Sequence, residues 1–265
     1  MEKQDHGFCM SKCAEKKAAA DFFIMGNIGG IIMQIQQPAL FYEYERLLDG
    51  SIPYFSSWYF DAGAQQNDKN ALLVCRYAFE IFLGWRPEDV GSAINLRILQ
   101  RMKLMKVLKY MSVPWEILSD HNFAYLCYLL YPSLYPEKTI TIRVYEEILT
   151  GKRRRFPKYY FDGADGRKRA CICMRYYVQN RLCGRFSSVD DIYKFFASPE
   201  GQKELVQAGL GFASRSTFRS PVIFYHLSLP VSERNDFSFH YWEFWYEMRK
   251  QYGVRLNKLL GFSKK

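Results

Sequence analysis

A long internal repeat constrains the fold of this chain more than any other sequence feature. The stretch YERLLDGSIPYFSSWYFDA at residues 44–62 aligns at one constant offset with YEEILTGKRRRFPKYYFDG at residues 145–163. The alignment resumes after a two-residue shift, where Arg76-Tyr77 matches Arg175-Tyr176. This spacing is longer than the roughly 20–50 residues of solenoid and propeller repeats, so each copy can form a small core of its own. The sequence therefore predicts two homologous domains in tandem.

Composition and length fit a globular chain with two compact domains and terminal extensions. The 265 residues are 49% apolar and 17% aromatic, which suffices for packed cores. No apolar run approaches the roughly 18 residues that a membrane-spanning helix needs, so we expect no membrane partner. We predict an N-terminal arm (1–41), a first repeat domain (42–132), a linker (133–142), a second repeat domain (143–230) and a C-terminal helical extension (231–265).

The spacing of apolar residues predicts a mostly α fold, with two small helical domains in tandem and an aromatic C-terminal helix. No stretch alternates as a half-buried strand would. Gly50 and Gly151 stand where a glycine commonly ends a helix, and Ser188 and Ser198 stand where a serine caps one. Helical segments are predicted at Leu40–Leu48, Asp68–Leu83, Ile94–Tyr110, Ile142–Leu149, Arg167–Leu182, Val189–Ala197, Ser198–Leu210 and Tyr241–Lys250.

The two copies differ sharply in charge. Residues 42–132 carry 9 Lys plus Arg against 10 Asp plus Glu, a net of −1, whereas residues 143–230 carry 16 against 8, a net of +8. Most of the formal charge of +10 therefore belongs to the second copy. A concentrated positive field attracts polyanions by counterion release, so the second copy is the candidate for contact with nucleic acid.

The order of motifs resembles a known group of sequences. Y-E-x-(I/L)-L-x-G is followed by a basic tract, then F-P, an aromatic pair and R-Y within a helix, which resembles an uncharacterised repeat family of Gram-positive bacteria. The resemblance covers roughly residues 42–230 as two copies. The second copy, with Phe156-Pro157, fits better than the first, which lacks the basic tract and has Ser56 in place of the proline. The resemblance implies no activity and no site residues.

The candidate nucleic-acid contacts are basic residues of the second copy. Arginine forks bind phosphate oxygens, and neighbouring aromatic rings can stack on bases. The aromatic residues Phe156 and Tyr160 have counterparts in the first copy, which lacks the charges, so these two rings are better explained as core. The predicted contacts are Lys152, Arg153, Arg154, Arg155, Lys158, Arg167, Lys168, Arg169, Arg215 and Arg219.

Two pairs of repeated residues are predicted to be structural. Arg76 and Arg175 could each bind a phosphate, or each could pair with the repeated glutamate, Glu45 or Glu146. We favour the structural pairs, Glu45 with Arg76 and Glu146 with Arg175, because both partners also occur in the copy without excess charge. Asp61 and Asp162 are interpreted as turn or helix-cap residues for the same reason.

The cysteines and histidines predict neither a metal site nor a cofactor. Seven cysteines is an odd number in a chain of this length, which favours reduced thiols and a cytoplasmic location. Neither group, His6 with Cys9 and Cys13 or Cys171 with Cys173 and Cys183, has the paired C-x2-C spacing of a strong zinc motif. Cys171 and Cys173 are interpreted as core thiols, and metal binding by the N-terminal group stays open.

The function that the sequence favours is that of a non-enzymatic nucleic-acid-binding protein. No nucleophile elbow, phosphate-binding glycine loop or catalytic histidine arrangement occurs. We expect double-stranded DNA, rather than RNA, to bind the second copy, as in a regulator or mobile-element accessory protein. A helix-turn-helix-like mode would place Ser198–Leu210 or Ser214–Arg219 in the major groove. The alternative is a protein-interaction module that uses the basic face, with the aromatic C-terminus forming a homodimer.

Overall fold

The computed structural model describes residues 38–253, and within that range the chain is helical with no β-strand. The prediction of a mostly α fold is confirmed. Most of the predicted N-terminal arm, and with it the His6, Cys9 and Cys13 group, lies outside the described residues. In the part of the chain that the structure describes, no helix combines the length and apolar character needed to cross a bilayer.

The helices are numbered here in chain order, and most are short. They are α1 (Pro38–Asp49), α2 (Ala64–Arg76), α3 (Pro87–Ala93), α4 (Leu96–Arg101), α5 (Met105–Leu108), α6 (Trp115–Leu118), α7 (Ala124–Leu130), α8 (Glu137–Leu149), α9 (Gly163–Arg181), α10 (Val189–Ala197), α11 (Pro199–Gln207), α12 (Pro221–Ser228) and α13 (Asp236–Tyr252). π-Helical turns occur at Tyr77–Phe82 and Ala213–Thr217, and 3₁₀ turns at Ser57–Tyr59 and Val231–Glu233.

The described chain divides into two compact units, unit 1 at residues 38–112 and unit 2 at residues 113–253. Tyr44 and Phe79 are fully buried in unit 1, and Tyr145 and Phe224 are fully buried in unit 2. The units follow packing, whereas the predicted domains follow sequence similarity, so the division does not test those boundaries. It does place residues 113–132 in unit 2, where α7 packs on α8.

The predicted helix ends and caps are confirmed where the sequence carried clear signals. α1 and α8 are followed by Gly50 and Gly151, with φ of 90° and 73°. These values lie in the left-handed region, which glycine adopts without steric cost. The Ser188 Oγ accepts from the Asp191 N–H at 3.1 Å, and the Ser198 Oγ accepts from the Gly201 N–H at 3.1 Å. These bonds satisfy N–H groups that the first helical turn leaves unpaired.

The segment Ile94–Tyr110 is not one helix, contrary to the sequence-based expectation. α4 ends at Arg101, and Lys103 then adopts a left-handed φ of 52° before α5 begins. The Lys103 Nζ donates to the Leu47 carbonyl at 2.6 Å, which attaches this bend to the end of α1. The bend lets Leu99, Leu104 and Leu108 all be buried, which a straight helix of this periodicity would not achieve.

The aromatic C-terminal helix is present and is longer than predicted, running from Asp236 to Tyr252. α13 packs on α10 and α12 within unit 2. The Trp242 indole N–H donates to the Asp190 carboxylate at 2.9 Å, and Tyr246 is buried. Phe237 and Phe244 lie on the exposed side, so α13 is amphipathic with aromatic residues on both faces.

Candidate nucleic-acid interface

The basic tract lies in the second loop, defined as residues 150–162 between α8 and α9. Gly151 reverses the chain, and the Arg153 N–H then donates to the Glu147 carbonyl at 2.9 Å. At the other end, Asp162 is the residue that precedes α9, as predicted for a helix-cap position, but its side chain makes no capping hydrogen bond. A positive-φ glycine and a backbone hydrogen bond therefore set the direction in which the loop leaves α8.

The interior of the second loop is aromatic. Phe156 packs against Tyr145, with ring centroids 5.9 Å apart, and against Phe161 at 4.6 Å. Tyr160 and Phe161 are buried. The structure thus supports the core interpretation of Phe156 and Tyr160. Tyr159, in contrast, is 44% exposed.

The surface of the second loop is cationic. Lys152, Arg154 and Arg155 are exposed and form no ion pair within residues 38–253. Lys158 is also exposed, and its Nζ lies 4.5 Å from the centroid of the Tyr159 ring. A hydrogen bond with Tyr159 raises the pKa of Lys158, so this side chain stays charged at neutral pH. Four cations of one loop are therefore available to an anionic partner.

Arg153 is engaged within unit 2 and does not belong to this exposed set. Its guanidinium donates to the Asp120 carboxylate at 2.8 Å and to the Glu147 carboxylate at 3.1 Å. The His121 Nε2 lies 3.2 Å from the same Arg153 nitrogen that bonds Asp120. The predicted phosphate contact at Arg153 is corrected here, because two carboxylates already occupy its donors.

The predicted nucleic-acid contact at Arg169 is also corrected, because this side chain is buried in unit 2. It is 3% exposed, donates to the Tyr160 carbonyl at 2.9 Å and to the Tyr125 hydroxyl at 2.7 Å, and lies 3.7 Å from Glu137. Buried charges require such partners, since desolvation without them is costly. Lys168 pairs with Glu137 at 2.6 Å while its side chain stays 58% exposed, so it has an internal partner as well.

The remaining predicted contacts, Arg167, Arg215 and Arg219, are exposed. Arg167 lies near the start of α9 and lines a shallow cleft of about 490 Å³ together with residues of the second loop and of the π-helical turn. Arg215 belongs to that turn, and Arg219 follows it with a left-handed φ of 66°. Besides Arg167, the cleft is lined by Phe161, Asp162, Gly163, Ala164, Phe212, Ser216 and Thr217.

Neither segment expected to enter a major groove has the surface for that task. α11 exposes Glu200 and Lys203, so its outer face carries opposite charges rather than a cationic stripe. Glu200 and Glu204 both pair with Arg185. The segment Ser214–Arg219 is a π-helical turn followed by a left-handed residue, which is too short and irregular to act as a recognition helix.

The repeated glutamates bond to the tyrosine of each Arg-Tyr pair. The Tyr77 hydroxyl donates to Glu45 at 2.5 Å, and the Tyr176 hydroxyl donates to Glu146. The arginines face other partners: Arg76 pairs with Glu80 at 2.9 Å, and Arg175 donates to the Ser228 carbonyl at 2.7 Å. The structural role predicted for these residues therefore takes a different form. Adjacent helical residues point about 100° apart, so only one member of the pair faces the glutamate.

The first loop, residues 50–63 between α1 and α2, has a backbone frame of the same kind. The Ile52 N–H donates to the Arg46 carbonyl at 3.2 Å, at the positions that the alignment matches to Arg153 and Glu147. The Asn70 side chain donates to the Tyr59 carbonyl at 2.6 Å, at the position matched to Arg169. Ala62 and Gly63 separate Asp61 from α2, whereas α9 follows Asp162 directly, and this accounts for the two-residue shift in the alignment.

The surface of the first loop is aromatic instead of basic. Phe55, Tyr59 and Phe60 are buried, as are Tyr160 and Phe161 in the second loop. Tyr54 is 66% exposed and Trp58 is 63% exposed, at the positions that the alignment matches to Arg155 and Tyr159. The two loops therefore share an interior and differ on the side that faces solvent.

The cysteines of the described chain are free thiols. Cys173 is fully buried, and burial raises its pKa, which agrees with the prediction of a core thiol. Cys171 is half-buried and its pKa is also raised by burial. Within residues 38–253, no group of three or more histidine, cysteine or acidic side chains has the geometry of a metal site.

Two signals in the sequence could have identified Arg153 and Arg169 as internal residues. Arg153 aligns with Ile52, an apolar residue in the first loop, which contains no Lys or Arg. Arg169 aligns with Asn70 inside a helix. By contrast, Arg155 aligns with the exposed Tyr54. The partners Asp120 and His121 lie about thirty residues before Arg153, and no pattern of spacing pointed to them.

Comparison with known sequences identifies one matching family model. It is described as "Protein of unknown function (DUF4046)" and matches residues 141–194. The matched range contains the second loop and α9, together with parts of α8 and α10. This part of the chain is therefore similar to an uncharacterised domain family. No curated protein and no solved structure matches the chain.

Proposed function

We propose that this chain is a non-enzymatic nucleic-acid-binding protein that contacts double-stranded DNA through the exposed cations of the second loop. The observation that carries the proposal is the exposure of Lys152, Arg154, Arg155 and Lys158, none of which forms an ion pair within the described residues. Arg153 in the same tract has two such partners. The tract thus contains both an internal arginine and a set of cations that packing does not use.

Phosphate contact explains these cations better than solubility alone does. Charges that only keep a protein in solution are normally interspersed with charges of the other sign. Here the cations are consecutive and adjoin the exposed ring of Tyr159, and Arg167, Arg215 and Arg219 add further unpaired cations to unit 2. Since counterion release depends on how many phosphates are neutralised, such a surface binds duplex DNA with little sequence preference. A role as a regulator or mobile-element accessory protein fits this chemistry.

We further propose that the two loops belong to two copies of one ancestral domain. Three local features support this: a glycine of positive φ after α1 and after α8, a tyrosine-to-glutamate hydrogen bond at matched positions, and a helix side chain that donates to a matched loop carbonyl. These are hydrogen bonds and backbone angles, which coincidental similarity in composition would not reproduce.

The experiment that tests the proposal is a binding titration of mixed-sequence duplex DNA at about 50 and about 200 mM salt. The variant is Arg154→Ala/Arg155→Ala, and the matched control is Arg97→Ala/Arg101→Ala, which removes the same charge from exposed positions of unit 1. We expect the first variant alone to lower the slope of log affinity against log salt, by roughly 1.8 if both phosphate contacts are lost.

Equal affinity of the two variants would reject the assignment to the second loop. An absence of duplex binding by the unaltered protein at the lower salt would reject the function itself. An RNA duplex of equal length, titrated in parallel, tests the expected preference for DNA.

A second candidate function, protein interaction, is favoured by one specific observation. The outer face of α13 carries Phe237, Tyr241, Phe244 and Tyr252, which are 82%, 46%, 57% and 62% exposed. Aromatic residues of this kind anchor many protein interfaces. A homodimer through α13 predicts that Phe237→Ser/Phe244→Ser lowers the mass measured by sedimentation equilibrium. A monomeric unaltered protein would exclude this dimer.

A further inference from the structure

The first loop exposes aromatic rings that the fold does not need. Its core contribution comes from Phe55, Tyr59 and Phe60, all of which are buried. Tyr54 and Trp58 are nevertheless about two-thirds exposed, at 66% and 63%. Because burying a large aromatic ring is favourable, it is notable that the described residues leave two such rings of one short loop largely open to solvent.

The Trp58 ring is held in place from one side. It stacks on Tyr59, with ring centroids 3.6 Å apart, and Tyr59 is itself buried. Trp58 is therefore backed by a fixed residue while most of its surface remains open to solvent. A planar ring supported in this way loses little conformational entropy when a second planar group stacks on it.

Two cations of this region lie beside exposed aromatic rings. The Lys106 Nζ lies 5.2 Å from the centroid of the Tyr54 ring and donates to the Pro53 carbonyl at 2.6 Å. On α1, the Arg46 guanidinium carbon lies 5.9 Å from the centroid of the Tyr42 ring, which is 59% exposed. Each cation therefore lies beside an exposed aromatic ring, an arrangement that suits a ligand with both flat rings and negative charge.

Carboxylates offset the cations of this region. Glu43 accepts from the Ser56 backbone N–H, and Asp49 accepts from the Ser51 backbone N–H at 2.7 Å. A hydrogen bond from Ser51 lowers the pKa of Asp49, which remains charged. Asp61 of the same loop is exposed. This balance of charge favours stacking with a few phosphate contacts over the dense phosphate contact available to the second loop.

We propose that the first loop binds single-stranded nucleic acid, with unpaired bases stacking on Tyr54 and Trp58 and with Lys106 beside the phosphate backbone. Base stacking on aromatic side chains tolerates any sequence, because every base has a π-face. The inference does not depend on duplex binding by the second loop.

The test is fluorescence anisotropy with a labelled oligothymidylate of about 15 nucleotides, a length that covers a typical single-strand site. We expect Tyr54→Ala/Trp58→Ala to weaken binding by roughly 30-fold or more, because two stacking contacts are lost. Tyr54→Phe/Trp58→Phe, which keeps the rings, should stay within about threefold of the unaltered protein. Val206→Ala/Val231→Ala is the control, since it trims two exposed apolar side chains of unit 2 that belong to no proposed interface.

The outcomes separate this site from the second loop. Loss of oligothymidylate binding in Tyr54→Ala/Trp58→Ala, with duplex binding retained, supports the proposal. The proposal is overturned if the unaltered protein does not bind oligothymidylate, or if this variant and the Val206→Ala/Val231→Ala control bind it equally. Arg154→Ala/Arg155→Ala is titrated in parallel with both oligothymidylate and duplex DNA. A loss of duplex binding alone in this variant then reports on the second loop and not on the first.

Discussion

The first and second loops share two anchoring hydrogen bonds at matched positions and both bury the matched rings of Tyr59 and Tyr160 and of Phe60 and Phe161, yet they present different chemistry to solvent. Where the first loop exposes Tyr54 and Trp58, the second exposes Arg155 and Tyr159. The interior positions are constrained by packing, because each ring contacts several neighbours that would all have to adjust. The exposed positions carry no such constraint. Differences in function between the two loops are therefore to be sought at the exposed positions.

The largest expected effect concerns the helix side chain that donates a hydrogen bond to a backbone carbonyl of each loop. Asn70 donates to the Tyr59 carbonyl, and Arg169 donates to the Tyr160 carbonyl while also contacting Tyr125 and Glu137. We expect Arg169→Ala to lower the free energy of unfolding by about 3–5 kcal/mol, because it breaks a buried charge network. Asn70→Ala should cost about 1–3 kcal/mol, because it leaves one buried carbonyl without its donor.

Urea unfolding, followed by circular dichroism, measures both variants against the exposed control Arg167→Ala. A surface substitution of this kind changes stability by about 0.5 kcal/mol or less. If Arg169→Ala proved as stable as Arg167→Ala, Arg169 would not be a structural residue, and its assignment to the nucleic-acid interface would be reopened.

Much of the fold followed from local signals in the sequence. The ends of α1 and α8 were marked by glycine, and the starts of α10 and α11 by serine, because these residues satisfy backbone requirements that act within one turn. The bend at Lys103 had no such signal. It depends on contact with the end of α1, more than fifty residues earlier in the chain, and tertiary packing there overrides the periodicity of the segment.

The candidate site was predicted only in part, for the same reason. Local composition identified the basic tract, and Arg154 and Arg155 are exposed as that interpretation requires. Composition cannot tell them from Arg153, whose carboxylate partner Asp120 lies in the turn between α6 and α7. The alignment with the first loop, which lacks Lys and Arg, carries this information, since a residue that replaces Ile52 occupies a position partly enclosed by the fold.

Transfer of charge from one loop to the other tests whether exposure is sufficient for duplex binding. In the background of Arg154→Ala/Arg155→Ala, the changes Pro53→Arg/Tyr54→Arg place two arginines at the matched positions of the first loop. The alanine background should bind duplex DNA roughly ten- to a hundredfold more weakly than the unaltered protein, and the transferred arginines should recover most of that loss. The measurement is a duplex titration at one low salt concentration.

A transfer that recovers nothing would contradict the idea that exposed position alone determines binding. It would show that Arg154 and Arg155 act together with neighbours that the first loop lacks, such as Lys152 and Lys158. Pro53→Ser/Tyr54→Ser in the same background serves as the control, because it disturbs the first loop equally without adding charge.

The smallest expected effect concerns the hydrogen bonds from Tyr77 to Glu45 and from Tyr176 to Glu146. Tyr77→Phe and Tyr176→Phe keep the rings, which pack on Phe41 and Tyr145 respectively, and remove only the hydroxyl donor. We expect each to lower the free energy of unfolding by about 0.5–1.5 kcal/mol, because each glutamate remains partly open to water and can be solvated. If the two bonds are equivalent, the two losses should agree within about 0.5 kcal/mol in urea unfolding. If the free energy of unfolding fell clearly in one variant and not in the other, the two hydrogen bonds would not stabilise their helices equally, although they occupy matched positions.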